Sequence, residues 1–214
     1  MRILITLFVL AAAAFGSPIN LVQNGGFETG DLTGWTIDAQ TNNPWEVDRD
    51  APHGGTFEAT NGCEDDICVI GSPVNQLDFL SQNLSTEVGH TYTLSFFYDP
   101  GNPGSEGDVS DLLVNWAGAT VMNLFLAGSG GDERTRVSSI TPAGGYNQYS
   151  IDLLATSTST ELSFIGRQDA NFSFLDDVAV TDKAGSAVPE PSSYLLVVSG
   201  LLWLGMASLQ ARRT

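Results

Sequence analysis

Apolar and polar residues alternate along His90-Thr91-Tyr92-Thr93-Leu94-Ser95-Phe96-Phe97-Tyr98. Tyr92, Leu94, Phe96 and Tyr98 fall on one face, and Thr91, Thr93 and Ser95 on the other. A period of two predicts a half-buried strand. Similar short runs occur at Leu77–Ser81, Leu112–Trp116, Val121–Leu126, Tyr149–Leu154, Glu161–Ile165 and Phe172–Val180. Turn-forming stretches such as Asp99-Pro100-Gly101-Asn102-Pro103-Gly104 and Pro142-Ala143-Gly144-Gly145 separate them. Short strands spaced roughly ten to fifteen residues apart, with no long helical pattern between them, predict an all-β fold, an antiparallel β-sandwich or jelly roll. No internal repeat points to a solenoid or propeller.

The two ends follow a different pattern. Arg2 precedes an apolar run from Ile3 to Phe15, with small residues at Ala14 and Gly16. This predicts a secretory signal peptide, residues 1–16, read by signal peptidase. A spanning helix is the competing reading, but the run is shorter than the ~20 residues a bilayer core requires. At the other end Val188-Pro189-Glu190-Pro191 leads into an apolar stretch beginning at Tyr194 and closing on Arg212-Arg213. The prolines break any preceding helix, the apolar stretch predicts a transmembrane helix over 194–211, and the arginines stay cytoplasmic by the positive-inside rule. Residues 182–188, small and polar, predict a flexible linker to the body, 17–181.

The tripeptide, apolar stretch and basic end, in that order over residues 188–213, resemble the PEP-CTERM sorting signal. The resemblance implies that Pro189, Glu190, Pro191, Arg212 and Arg213 serve recognition by the membrane enzyme exosortase. It also implies transient residence in the inner membrane of a Gram-negative bacterium, then release to the cell surface or extracellular matrix. An ordinary C-terminal anchor following two prolines is the alternative.

Within the body, Asn20-Leu21-Val22-Gln23-Asn24-Gly25-Gly26-Phe27-Glu28-Thr29-Gly30, followed by Gly34-Trp35, resembles the opening strand of galactose-binding-like jelly rolls, a group that includes several carbohydrate-binding modules. Phe174-Leu175-Asp176-Asp177-Val178-Ala179-Val180 is similar to their closing strand, and Gly89–Phe96 to a central one. In those modules the first and last strands are neighbours and often hold a structural calcium. The resemblance therefore nominates Glu28 and Asp177 as ligands, with Asp176 as the alternate. Carboxylates suit this hard cation, which takes about six to eight oxygens. Capping of turns by the same acids is the competing reading.

Composition narrows the function. Only 15% of residues are charged and 23 are Gly, as short strands and turns demand. The formal charge is −17. Setting aside Arg2, Arg212, Arg213 and Glu190 leaves five basic and 24 acidic residues, so the exported body carries about −19. Such a surface repels phosphates and excludes nucleic acid as a partner. Cys63 and Cys68, in Cys-Glu-Asp-Asp-Ile-Cys, predict a disulfide clip in an exported chain.

Polysaccharide binding requires aromatic platforms, for which Trp35, Trp45, Trp116, Tyr98 and Tyr146 are the candidates. Most of them fit a core. Trp45 differs, because Thr41-Asn42-Asn43-Pro44-Trp45-Glu46 predicts a polar loop that would expose the indole to a ligand. Catalysis finds little support. His53 lies in a Pro-His-Gly-Gly turn and His90 opens a strand; no nucleophile elbow, zinc-binding His pair or phosphate loop is present. The expectation is a non-catalytic, exported β-sandwich that binds extracellular polysaccharide. The alternative is a structural or adhesive surface protein with no small ligand.

Overall fold

Eleven strands divide between two facing sheets, and no helix occurs among the described residues of the computed structural model. Those residues are 18–41, 43–62, 77–101, 109–127, 138–139, 145–168 and 171–183. The strands are β1 (Thr36–Asp38), β2 (Asn43–Asp48), β3 (Glu58–Gly62), β4 (Asp78–Ser85), β5 (Thr91–Asp99), β6 (Val109–Trp116), β7 (Ala119–Ala127), β8 (Ser138–Ser139), β9 (Asn147–Leu154), β10 (Ser159–Gln168) and β11 (Phe172–Asp182). One sheet has the order β1-β4-β10-β6-β7-β8, the other β2-β3-β11-β5-β9. All pairings are antiparallel except the short β7–β8 contact. The all-β antiparallel sandwich expected from the alternation is the fold observed.

The inward residues of β5 are those the alternation named. Leu94, Phe96 and Tyr98 are fully buried and Tyr92 nearly so. They meet Leu80 and Leu84 of β4, Leu112 and Val114 of β6, and Leu162 and Phe164 of β10. Phe96 and Phe164 join the two sheets edge to face, with ring centroids 5.2 Å apart. Burying each such side chain contributes on the order of 1.5–3 kcal/mol.

The opening motif lies beside the closing strand, as expected. Asn20 pairs antiparallel with Thr181, and Leu21 N–H donates to Val180 C=O at 2.8 Å. Asn20 binds the strand with its side chain too: Oδ1 accepts from Val180 N–H at 2.9 Å and Nδ2 donates to Val178 C=O at 3.2 Å. The chain then turns sharply, with Asn24 and Phe27 at φ of 51° and 56°. That turn swings the fully buried Phe27 ring onto Trp35, whose Nε1–H donates to Asn24 C=O at 3.2 Å.

Two segments depart from the sequence expectation. β3 reads Glu-Ala-Thr-Asn-Gly, with no apolar alternation, yet all five residues are buried, with β2 and β11 flanking it. Trp45 does not lie in an exposed loop but in β2, only 1% exposed. Its Nε1–H donates to Asp78 C=O at 3.0 Å. Gly166 makes room for it: a Cβ there would stand 2.7 Å from the indole Cζ2. The expected role of Trp45 as an exposed ligand contact is therefore corrected to a core role. The Asn and Pro residues before it serve the start of an edge strand, where proline is tolerated.

Cys63, Cys68, the signal peptide and everything from residue 184 onward, including Pro189, Glu190, Pro191, Arg212 and Arg213, lie outside the described residues. Among the described residues no helix is long and apolar enough to cross a membrane.

Candidate functional site

The outward face of the five-stranded sheet is shaped by a bulge. The β11–β5 register shifts between Asp176 and Ala179, and Asp177 adopts φ 51°. Two successive carboxylates thereby project near the loop joining β2 to β3. That loop, residues 49–57, is bound to them through backbone N–H groups. His53 and Gly54 donate to Asp176 Oδ2 at 2.9 and 3.0 Å, while Asp176 Oδ1 accepts from Asp177 N–H at 2.7 Å. Glu28, arriving from the opening motif, accepts on Oε1 from Thr56 and Phe57 N–H at 2.8 and 3.0 Å. Gly55 has φ 65°, and a Cβ on it would stand 2.2 Å from Glu28 Oε1. Only glycine permits this approach.

The expected calcium carboxylates are thus brought together. An ideal Cβ on Gly26 would lie 3.5 Å from Asp177 Oδ1, 3.8 Å from Asp176 Oδ1 and 3.8 Å from Glu28 Cγ. Their chemistry differs. Asp176 accepts amide hydrogens on both oxygens. Among the described residues, nothing donates to Glu28 Oε2 or Asp177 Oδ1. Among the described residues no group of three or more His, Cys, Asp or Glu side chains is arranged to hold a metal. Calcium here would rest on two carboxylates, with backbone carbonyls and water completing its shell.

Electrostatics separates these acids. The Thr56 N–H, then that of Phe57, hold the Glu28 carboxyl below the ordinary range. Burial pushes Asp176 up against its three amide bonds, with the charge of Asp177 adding to the rise. Burial likewise raises Glu58 on β3; Ala51 N–H, 2.9 Å from Glu58 Oε1, opposes it, while the charges of Asp48 and Asp176 reinforce it.

Beside the carboxylates stands an aromatic group. The His53 ring lies on Phe97 of β5, centroids 3.5 Å apart and planes 18° apart, and meets Tyr146 edge-on at 5.2 Å. Its Nδ1 is 2.8 Å from Asp177 Oδ2, which fixes the ring's orientation. His53 is exposed, and Phe97 and Tyr146 are half-buried. Such a ring, held flat on a rigid strand and bordered by polar groups, is suited to stacking on a sugar.

Of the aromatic candidates from sequence, only Tyr146 belongs to this group; Trp35, Trp45, Tyr98 and Trp116 are core. His53 and Phe97 were not among them. The available signal was Phe97 itself, a phenyl ring on the otherwise Thr- and Ser-lined face of β5.

No protein-family profile and no curated protein matches the sequence. Solved structures do match the fold. The carbohydrate-binding module TmCBM61, solved with beta-1,4-galactotriose, superposes with TM-score 0.51 at 17% identity, over 77% of this chain and 99% of that one. Family 16 Carbohydrate Binding Module-2 gives 0.44 at 15%, over 76% and 99%. The K1 cleaved adhesin domain of Lys-gingipain from Porphyromonas gingivalis W83 gives 0.48 at 12%, over 78% and 98%. The chain therefore has the two-sheet jelly-roll fold that TmCBM61 also has.

Proposed function

We propose that this domain is a non-catalytic, polysaccharide-binding module of an exported cell-surface or matrix protein, and that it binds through the outward face of the five-stranded sheet. One observation carries the reading: the exposed His53 ring, stacked on Phe97 and pinned by Asp177, forms a rigid platform on that face. The fold shared with a galactotriose-bound module is in keeping with it. Glu28 Oε2 and Asp177 Oδ1 are the oxygens that would hold a structural calcium ion, which would brace the corner supporting the platform. The terminal segments supply the address: signal peptidase acts after residue 16 and exosortase reads Pro189, Glu190 and Pro191, with Arg212 and Arg213 as the cytoplasmic end.

Retention of the purified body on a panel of immobilised polysaccharides tests the binding reading. The expected result is retention on at least one polymer, weakened about tenfold or more by His53→Ala or Phe97→Ala, as loss of a stacking contact worth over ~1 kcal/mol implies. A body that ignores every glycan sinks it. Intact-mass measurement of the protein released from its native cell tests the address. Loss of residues 1–16 and of the C-terminal segment is expected, and a full-length mass overturns it.

A further inference from the structure

Each sheet ends in two edge strands, β1 and β8 for one, β2 and β9 for the other. Three of these edges are short or broken. β1 has three residues and β8 two, while β2 carries Pro44 and its register with β3 shifts between Asn43 and Glu46. Such features keep a free edge from pairing with another chain. β9 has none of them. Its eight residues, Asn147–Leu154, include no proline, glycine or lysine, and they pair with β5 in unbroken register from Thr91↔Leu154 to Tyr98↔Asn147.

The free side of β9 offers a regular row of backbone groups. Ala155 N–H donates to His90 C=O, so alternation turns the backbone groups of Leu153, Ile151 and Tyr149 toward β5 and those of Leu154, Asp152, Ser150 and Gln148 away from it. Trp116 Nε1–H takes the Leu154 carbonyl, and among the described residues no strand pairs with the other three. The edge is neutral although the exported body carries about −19, because its one charged residue, Asp152, is paired with Lys183. Tyr149 and Ile151 pack on the core yet are only half-buried, and Leu154 is 56% exposed.

We propose that a second copy of this chain pairs with this edge, β9 against β9 and antiparallel, about a twofold axis at Ser150. Backbone groups that face outward pair only with one another, and this register sets Ser150 against the second copy's Ser150 and Gln148 against its Asp152. A carboxamide then meets a carboxylate on the outer face. On the core face Tyr149 meets Ile151, an aromatic and β-branched pair of the kind that stabilises sheets. Moving the axis to Ile151 opposes Gln148 to Leu154, and moving it to Asp152 sets two carboxylates against each other. The axis stands normal to the sheet, so Phe97 and the His53 ring on it lie on the same side in both copies. With strands ~4.8 Å apart and a rise of ~3.3 Å per residue, the two platforms are about 20 Å from each other. The association itself does not depend on the binding function proposed above.

Ile19–Ala184 forms a compact unit by itself and is the piece to measure. Sedimentation equilibrium in about 0.15 M salt, which screens the like charge of the copies, is expected to show the mass doubling between about 1 and 300 μM, as a small interface implies. Ser150→Pro deletes an N–H that β5 does not use, and an edge strand tolerates it. That variant is expected to stay folded and monomeric at every concentration. Ser150→Lys and Ser150→Glu each set like charges face to face across the axis. Each is expected to be monomeric alone, and an equimolar mixture of the two to restore the dimer.

A wild-type body that stays monomeric throughout overturns the proposal and leaves the edge to strands of other chains. A dimer that Ser150→Lys leaves intact uses another surface and also overturns it. So does a mixture of the two charged variants that remains monomeric, because the register about Ser150 is what brings the substituted residues together. Should Ser150→Pro not fold, the charged pair alone decides.

Discussion

His90 Nδ1 stands 2.6 Å from Asp182 Oδ2, joining the residue before β5 to the last residue of β11. The same ring places Nε2 3.4 Å from Glu87 Oε2. Hydrogen bonding to Asp182 is the largest influence on the imidazole and raises its pKa; burial opposes this, and the charges of Asp182 and Glu87 add to it. A folded-state pKa above the unfolded value of about 6.5 gives stability that is fully present below that value and fades as pH rises through the folded pKa. Wild type is therefore expected to melt above His90→Gln at about pH 5.5 and to match it at about pH 9. A gap between the two that ignores pH refutes the assignment.

Glu58 gives the opposite sign. Its carboxyl is raised, so the folded state holds a proton that the unfolded state releases near pH 4.5, and stability falls as pH climbs above that. Glu58→Gln removes this penalty. Thermal melts should show the variant gaining on wild type between about pH 4 and pH 8, whereas a constant offset across that range argues that Glu58 titrates normally.

Trp45 provides a test of core against ligand roles. Trp45→Ala should cost about 3–5 kcal/mol in urea unfolding, since it empties a large buried volume and orphans the Asp78 carbonyl. Trp45→Phe, with the body still folded, should leave glycan retention unchanged. Loss of retention in that variant would restore the indole as a ligand contact.

Calcium is expected to raise the melting temperature of the body and a chelator to lower it, with a saturating excess of about 100 times Kd adding about 2.7 kcal/mol. Glu28→Gln should abolish the response, because it removes one of the two carboxylates that keep an oxygen free. Melting indifferent to both calcium and chelator removes the ion from this corner.

The seven strands that are legible in the sequence are those whose inward positions carry Leu, Phe, Val or Tyr. β3 was hidden because all of Glu58–Gly62 is buried between β2 and β11 whatever its residue types, which leaves no period in the sequence. β2 was hidden by Asn43 and Pro44, which read as a loop although an edge strand accepts them. The carboxylate corner was legible through the motifs at Phe27-Glu28 and Asp176-Asp177, but the division of labour within it was not. Which oxygens are spent on amides depends on residues 53–57, a loop more than twenty residues from either motif. The platform was hidden for a similar reason: His53 and Phe97 are 44 positions apart, and only the fold of the β2–β3 loop stacks one on the other.

The position of β11 has a mechanical meaning. It lies in the middle of its sheet, paired with β3 on one side and β5 on the other, and Asn20 and Leu21 are bonded to its far end. A pull applied to Asp182 along the axis of that strand loads both ladders in shear and stretches many hydrogen bonds together. A peeling edge would yield one bond after another; this strand resists as a block. Asp177, whose carboxylate orients the His53 ring, sits on the same strand, so a load on β11 bears on that ring as well.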